Sequence, residues 1–186
     1  MSKAVLFFAD GTEECEALLV ADLLRRARVE VIIASAMGRR ALVSSHGIHL
    51  NADALAEDVD YSDVDMVILP GGIPGTPNLA ENKTVTDTCV SFARAGRKVA
   101  AICAAPSILA SLGLLEGRNA TAHAGFQDIC IEMNWNASWY GDCVSLVVSS
   151  CYGGTDAPFY QGWCFDFESG NQLTATQLLE RMGDRK

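Results

Sequence analysis

Cys103 stands in the segment Ala100-Ala101-Ile102-Cys103-Ala104-Ala105-Pro106, where a short apolar run meets a proline that can open a helix. A thiol at such a strand-to-helix turn is chemically useful. Unpaired N–H groups and the dipole at a helix start favour the thiolate, and a sharp turn exposes sulfur as a nucleophile elbow exposes a serine. Two other segments carry complementary groups. Pro70-Gly71-Gly72 supplies a glycine turn whose N–H, with that of Ala104, would form an oxyanion site. Asp10-Gly11-Thr12-Glu13-Glu14-Cys15-Glu16 supplies carboxyls. A carboxyl beside a thiolate either delivers a proton or, with a raised pKa, stays protonated as a hydrogen-bond donor. The same alanine-rich segment is also how an inert core cysteine looks, so spacing alone leaves both readings open.

Elements must bring these groups to one edge. Val5-Leu6-Phe7-Phe8 reads as a strand buried on both faces and ended by Asp10-Gly11. Thr12 is the expected cap of a helix in which Ala17, Leu18, Ala21, Leu24 and Ala27 recur at helical spacing. Val29 to Ala34 reads as a second strand, Ala41 to Leu50 as a hairpin around His46-Gly47, and Met66 to Leu69 as a third buried strand. Ile73 to Asn78, which includes two prolines and a glycine, reads as a loop. A helix is expected from Asn82 to Arg94, with Val85, Cys89, Val90 and Phe92 or Ala93 inward. A strand from Lys98 to Ile102 and a helix from Pro106 to Leu115, ended near Gly117, complete the pattern. Val144 to Val148 is a further expected strand and Leu173 to Met182 a closing helix. Strands alternating with helices predict an α/β fold, a doubly wound, mostly parallel sheet with helices on both faces. The ligand edge of such a sheet lies beyond the carboxyl ends of its strands. The three segments above are three such ends.

Composition narrows the function classes. The chain has 186 residues, 14 Lys+Arg against 23 Asp+Glu, and a formal net charge of −9. That balance argues against nucleic acid or an anionic membrane as partner, because both are held mainly by Lys and Arg on phosphate. The length suits one domain over residues 1–186. The apolar run after Lys3 is too short for a secretory signal, and no window reaches the roughly 18 apolar residues of a spanning helix. Seven cysteines without a Cys-x-x-Cys pair read as free thiols. The expected compartment is the cytoplasm. His46 and His49 lie three apart on the hairpin, a spacing that puts side chains on opposite faces of a strand. They read as surface residues rather than metal ligands.

The three segments together resemble the ThiJ/PfpI superfamily. The segment around Cys103 is similar to its nucleophile elbow, and Ala9 to Glu16 to its first strand–helix junction. Leu69-Pro70-Gly71-Gly72-Ile73-Pro74-Gly75, with Asn78-Leu79, is similar to its glycine loop. Order and spacing agree from Lys3 to about Asp128, and the similarity is to the branch containing the Parkinsonism-associated protein deglycase and its bacterial and protist relatives. This resemblance implies a flavodoxin-like (class I glutamine-amidotransferase-like) homodimer needing no organic cofactor or metal. It implies Cys103 as nucleophile, Glu16 as the protonated acid beside it, Gly72 and Ala104 as backbone donors, and His123 as the nearby histidine. His46 would reach toward the partner's site.

The implied activity is conversion of reactive 2-oxoaldehydes, or their early protein or nucleotide adducts, to 2-hydroxy acids. The alternative is a redox-sensing stress protein or holdase chaperone in which Cys103 is oxidised. A peptidase or amidase is disfavoured. The protease-like branch has a histidine after its cysteine, where this chain has Ala104, and none of the 3 histidines is in a His-x-Glu pair. Residues 129–171 diverge from the family pattern. Ser150-Cys151-Tyr152-Gly153-Gly154-Thr155 replaces the family's Ser-Arg-Gly-Pro-Gly-Thr turn, and Pro158, Gly162 and Gly170 follow where a helix would run.

Overall fold

The computed structural model describes residues 2–116, 120, 122–126, 164–165 and 172–173. The chain divides into two units, Met1–Val147 and Val148–Lys186. In the first, β1 (Lys3–Phe8) is the central strand of a five-stranded sheet and is buried from Ala4 onward. β2 (Glu30–Ser35) pairs with it in parallel along its full length, Lys3 opposite Glu30 and Phe8 opposite Ser35. The hairpin is β3 (Ala41–Val43) and β4 (His49–Asn51), antiparallel, and β5 (Ala54–Leu55) then joins the outer side of β2. β6 (Met66–Leu69) pairs on the other side of β1, and β7 (Lys98–Ala101) beyond it. Sheet order is β5-β2-β1-β6-β7, with every pairing parallel. The winding therefore reverses between β1 and β6, and that crevice is where such sheets bind ligands. The flavodoxin-like α/β expectation holds.

Alternation along β1 builds a core on each face. Ala4, Leu6 and Phe8 pack with Ala17 and Ala21 of α1 (Glu14–Arg26) and with Leu42 of the hairpin. Val5, Phe7 and Ala9 pack with Leu79 of α2 (Gly75–Glu81), Val85, Cys89 and Phe92 of α3 (Lys83–Arg94), and Ile108 of α4 (Pro106–Ser111). Each fully buried Val, Leu or Phe here contributes about 1.5–3 kcal/mol of transfer free energy.

Several boundaries differ from the sequence reading, each for a local reason. Thr12 does not cap α1, because its Oγ1 accepts from the Ala9 N–H at 3.0 Å, and Glu13 caps instead. Leu18 and Ala27 point to solvent. Ile73 to Asn78 is not all loop: α2 starts at Gly75, and Pro77 falls in the first turn, where no N–H needs an intrahelical partner. Thr88, not Val90 or Ala93, completes the inner face of α3. α4 stops at Ser111 because Gly113 takes φ 70 and closes a Schellman motif, Leu114 N–H to Leu109 C=O at 3.0 Å. In the second unit β8 (Cys164–Phe165) pairs antiparallel with β9 (Gln172–Leu173). Leu173 thus stands in a strand rather than opening the closing helix. Residues 174–182, the strand at 144–148 and the expected helix end at Gly117 lie outside the described residues, as does most of 129–171.

Candidate active site

The turn after β7 carries Cys103 at φ 60, a left-handed conformation that costs a non-glycine residue roughly 1–2 kcal/mol. The ladder holds it there: Ile102 N–H donates to Leu69 C=O at 3.1 Å, and Ala105 N–H to Ile102 C=O at 3.0 Å. The half-buried sulfur receives the backbone N–H groups of Gly72 and Ala104 and is hydrogen-bonded with Glu16. α4 begins three residues later, at Pro106, where the sequence reading opens a helix, and the amides that face the sulfur are those of the two turns.

Glu16 reaches this turn by an altered capping pattern. Glu13 is the N-cap of α1, and its carboxylate accepts from the Glu16 N–H at 2.7 Å. In a reciprocal capping box the carboxyl at Glu16's position would return to the cap's own N–H. Here the Glu13 N–H donates to Gly71 C=O at 3.0 Å, and Glu16 Oε2 accepts from the Gly71 N–H at 2.8 Å. The Glu16 carboxyl is thereby released toward the sulfur. Gly71 has to be glycine, since a Cβ would stand 2.6 Å from Cys103 Cβ and 2.8 Å from Glu16 Oε2. Gly72 has φ 95, and a Cβ there would meet the Glu13 nitrogen at 2.3 Å.

The carboxyl and the thiol each perturb the other. Burial pushes the Glu16 carboxyl above the ordinary carboxylate range; the Gly71 N–H and the Cys103 hydrogen bond oppose this, and the Glu13 charge reinforces it. Burial, the Glu16 charge and the hydrogen bond to Glu16 push the Cys103 thiol up to about 11, against the Gly72 and Ala104 amides. The contribution of Glu16 to that rise exists only while Glu16 is ionised. With the proton on Glu16 the repulsion vanishes, the carboxyl becomes a donor to sulfur, and both amides still face the thiolate.

Cys89 and Cys15 lack this setting. Cys89 is buried in the core and burial pushes it up to about 12. Cys15 is exposed, and the charge of Glu13, slight burial and the charges of Glu14 and Glu16 raise it.

His123 is brought beside Cys103 through its main chain, its N–H donating to Cys103 C=O at 2.7 Å. Its Nδ1 accepts from the Gly125 N–H at 3.2 Å, which leaves the neutral ring's proton on Nε2. His46 sits in the turn between β3 and β4, exposed, with Nδ1 2.8 Å from Glu14 Oε1. Ser45 Oγ donates to Glu14 Oε2 at 3.1 Å. Burial alone would raise Glu14, but its own N–H, the Ser44 and Ser45 hydroxyls and His46 bring it down to about 2. Carboxylates do therefore stand beside His46: donor atoms of Glu13, Glu14 and His46 lie within 4.8 Å of one another. The geometry is that of an ion pair at a helix N-terminus, where the dipole favours anions over cations. His49 is exposed on β4 and stands apart from this group.

The chain and its fold have counterparts among known proteins. The DJ-1/PfpI family model matches residues 2–159. The chain belongs to the DJ-1/PfpI family. It is 37% identical over 124 residues to the protein dj-1beta of Drosophila melanogaster, covering 66% of this chain and 66% of the fly protein. It is 30% identical over 137 residues to a deglycase of Pyrococcus abyssi, covering 74% of this chain and 80% of the relative. The solved structure of oxidized Toxoplasma gondii DJ-1 superposes with TM-score 0.67 at 34% identity, covering 69% of this chain and 71% of that one. The chain thus spans just under two thirds of the length of the fly relative. No helix among the described residues is long and apolar enough to cross a membrane.

Two site features escape a first reading of the sequence: the capping role of Glu13 and the double bonding of Gly71. The Glu13–Glu16 spacing, that of an N-cap and its third helical residue, is the signal that points to the first.

Proposed function

We propose that the protein is a cofactor-independent cysteine enzyme that converts reactive 2-oxoaldehydes, or their early adducts, to 2-hydroxy acids. The observation that carries this reading is the Cys103–Glu16 pair under the Gly72 and Ala104 amides. Membership beside proteins named deglycases supports the substrate class. With methylglyoxal, the Cys103 thiolate adds to the aldehyde carbon, and the resulting oxyanion takes the proton held by Glu16, giving a hemithioacetal. Glu16, now ionised, removes the proton from that carbon and returns it to the neighbouring one, with His123 assisting. The product is a thioester of the 2-hydroxy acid, which water hydrolyses to lactate and the free thiol. One water is consumed, and no external oxidant or reductant is required. Purified protein with methylglyoxal and no glutathione is expected to form lactate. Equal lactate from Cys103→Ala would refute the mechanism.

A second reading is redox sensing, with Cys103 oxidised to a sulfinate held by Glu16. It is favoured by the accessible, amide-solvated sulfur and by a relative solved in its oxidized form. Mild peroxide should then oxidise Cys103 selectively, and equal oxidation of Cys15 in mass spectra would count against it.

The protein acts as a homodimer in this proposal. Leu18, Leu19 and Leu23 are exposed on one stretch of α1, at 36%, 58% and 56%, an apolar face suited to a second copy. Leu19→Lys is expected to shift sedimentation toward monomer.

A further inference from the structure

Gly71 is bonded at both its N–H and its C=O by the two members of one capping pair, Glu16 and Glu13. The glycine turn also packs directly on the Glu13 backbone, closely enough that position 72 admits no Cβ. Glu13 therefore touches both the glycine turn and the backbone of Glu16. Its carboxylate is also a longer cap than the Ser, Thr, Asp or Asn usual at this position. Thr12, the sequence's better cap, is turned back onto Ala9. The charged and titratable groups around Glu16 are few. Glu13 shares its helix, Cys103 faces it from the β7–α4 turn, and the glycine turn offers only backbone. Glu14 and His46 pair with each other on the hairpin side, and His123 reaches the Cys103 main chain.

We propose that Glu13 is the positioning residue of the Cys103–Glu16 pair: its carboxylate fixes the start of α1 against the glycine turn so that Glu16 meets the sulfur, and its negative charge favours the protonated form of Glu16. The inference rests on the proposed chemistry at Cys103. A like charge beside Glu16 disfavours its ionised form, which is the form that opposes a thiolate. Losing the charge weakens the hold of Glu16 on a proton.

The test is Cys103 alkylation by iodoacetamide against pH, read by mass spectrometry, in wild type, Glu13→Gln, Glu13→Asp, Glu13→Ala and Glu16→Gln. Glu13→Gln keeps a capping oxygen but loses the charge, and its neutral-pH rate is expected to fall about threefold, half a pH unit of displacement. Glu13→Asp keeps both and is expected to follow wild type. Glu13→Ala loses both and is expected to fall about tenfold. If Glu13→Ala does not fold by circular dichroism, the Gln and Asp variants still decide. A Glu13→Gln profile superimposable on wild type, or an Asp profile as slow as Gln, overturns the proposal. Glu16→Gln should remove the carboxyl step from the profile. If it does so while Glu13→Gln changes nothing, only the role of Glu13 falls. If Glu16→Gln changes nothing either, the Cys103–Glu16 pairing falls with it.

Discussion

Glu14 and Glu16 lie in the same first turn of α1, yet their surroundings pull their protons in opposite directions. On the hairpin side, two serine hydroxyls, an imidazole and a backbone N–H hold Glu14 down to about 2 even though it is buried. On the glycine-turn side, Glu16 has one amide and a thiol for partners and a second carboxylate for a neighbour, so burial prevails and its pKa rises. Neither the helix dipole nor burial distinguishes the two, since both residues experience each. What differs is the number of donors that the facing element supplies. A hairpin turn with free hydroxyls makes a structural anion, whereas a bare glycine turn makes a carboxyl able to carry a proton at higher pH. Environments that push two acids apart in this way mark acid–base sites.

The comparison can be broken at its largest effect by Gly71→Ala. The new methyl would occupy the space of Cys103 Cβ and Glu16 Oε2, so lactate formation should drop by about 100-fold, as sub-ångström positioning is lost. Unchanged activity would mean that the turn does not hold Glu16 at the sulfur.

Next in size is the pH dependence of stability, where the two carboxyls have opposite signs. Glu14 is depressed from 4.5 to about 2, so its stabilisation is complete above pH 4.5 and is lost as pH falls through about 2. Glu16 is raised above 4.5, so its contribution is complete below 4.5 and is lost as pH rises through its elevated value. Urea midpoints across pH should therefore show a shallower acid limb in Glu14→Gln, and in Glu16→Gln a smaller loss on the rise from pH 4.5. The same change in both variants would erase the distinction.

A smaller effect is expected at His46. Its ion pair with Glu14 has an exposed imidazole on one side, and such pairs contribute at most about 1 kcal/mol. His46→Ala should lower stability by no more than that and make it less dependent on salt than in wild type. Thermal melts at low and high ionic strength measure it. A larger loss would show that the hairpin side depends on the ring rather than on the serine hydroxyls.

Much of the site was legible in the chain itself. Cys103, the Pro70-Gly71-Gly72 turn and the Glu13–Glu16 cluster follow three apolar runs, and runs of that kind become buried parallel strands whose ends share an edge. The hairpin was legible from His46-Gly47, and the β1–α1 alternation from its apolar periodicity. The errors came where side chains compete for a backbone group. Thr12 was the reasonable cap by residue type, but the Ala9 N–H claims its hydroxyl. Ile73 to Asn78 read as loop from its prolines, yet a helix's first turn has N–H groups to spare.

What the sequence determines by itself, then, is the parallel α/β class, the sheet edge where the candidate site lies and the residues delivered there. These follow from local periodicity and from turns that only a few residue types allow. Where the protons sit was decided by tertiary structure alone. Glu14 and Glu16 are interchangeable as letters, and Cys103 differs little from Cys89 in an apolar window. Their roles separate only when residues from distant segments supply, or withhold, hydrogen-bond donors around them, because the cost of a buried charge depends on its neighbours in space and not in sequence.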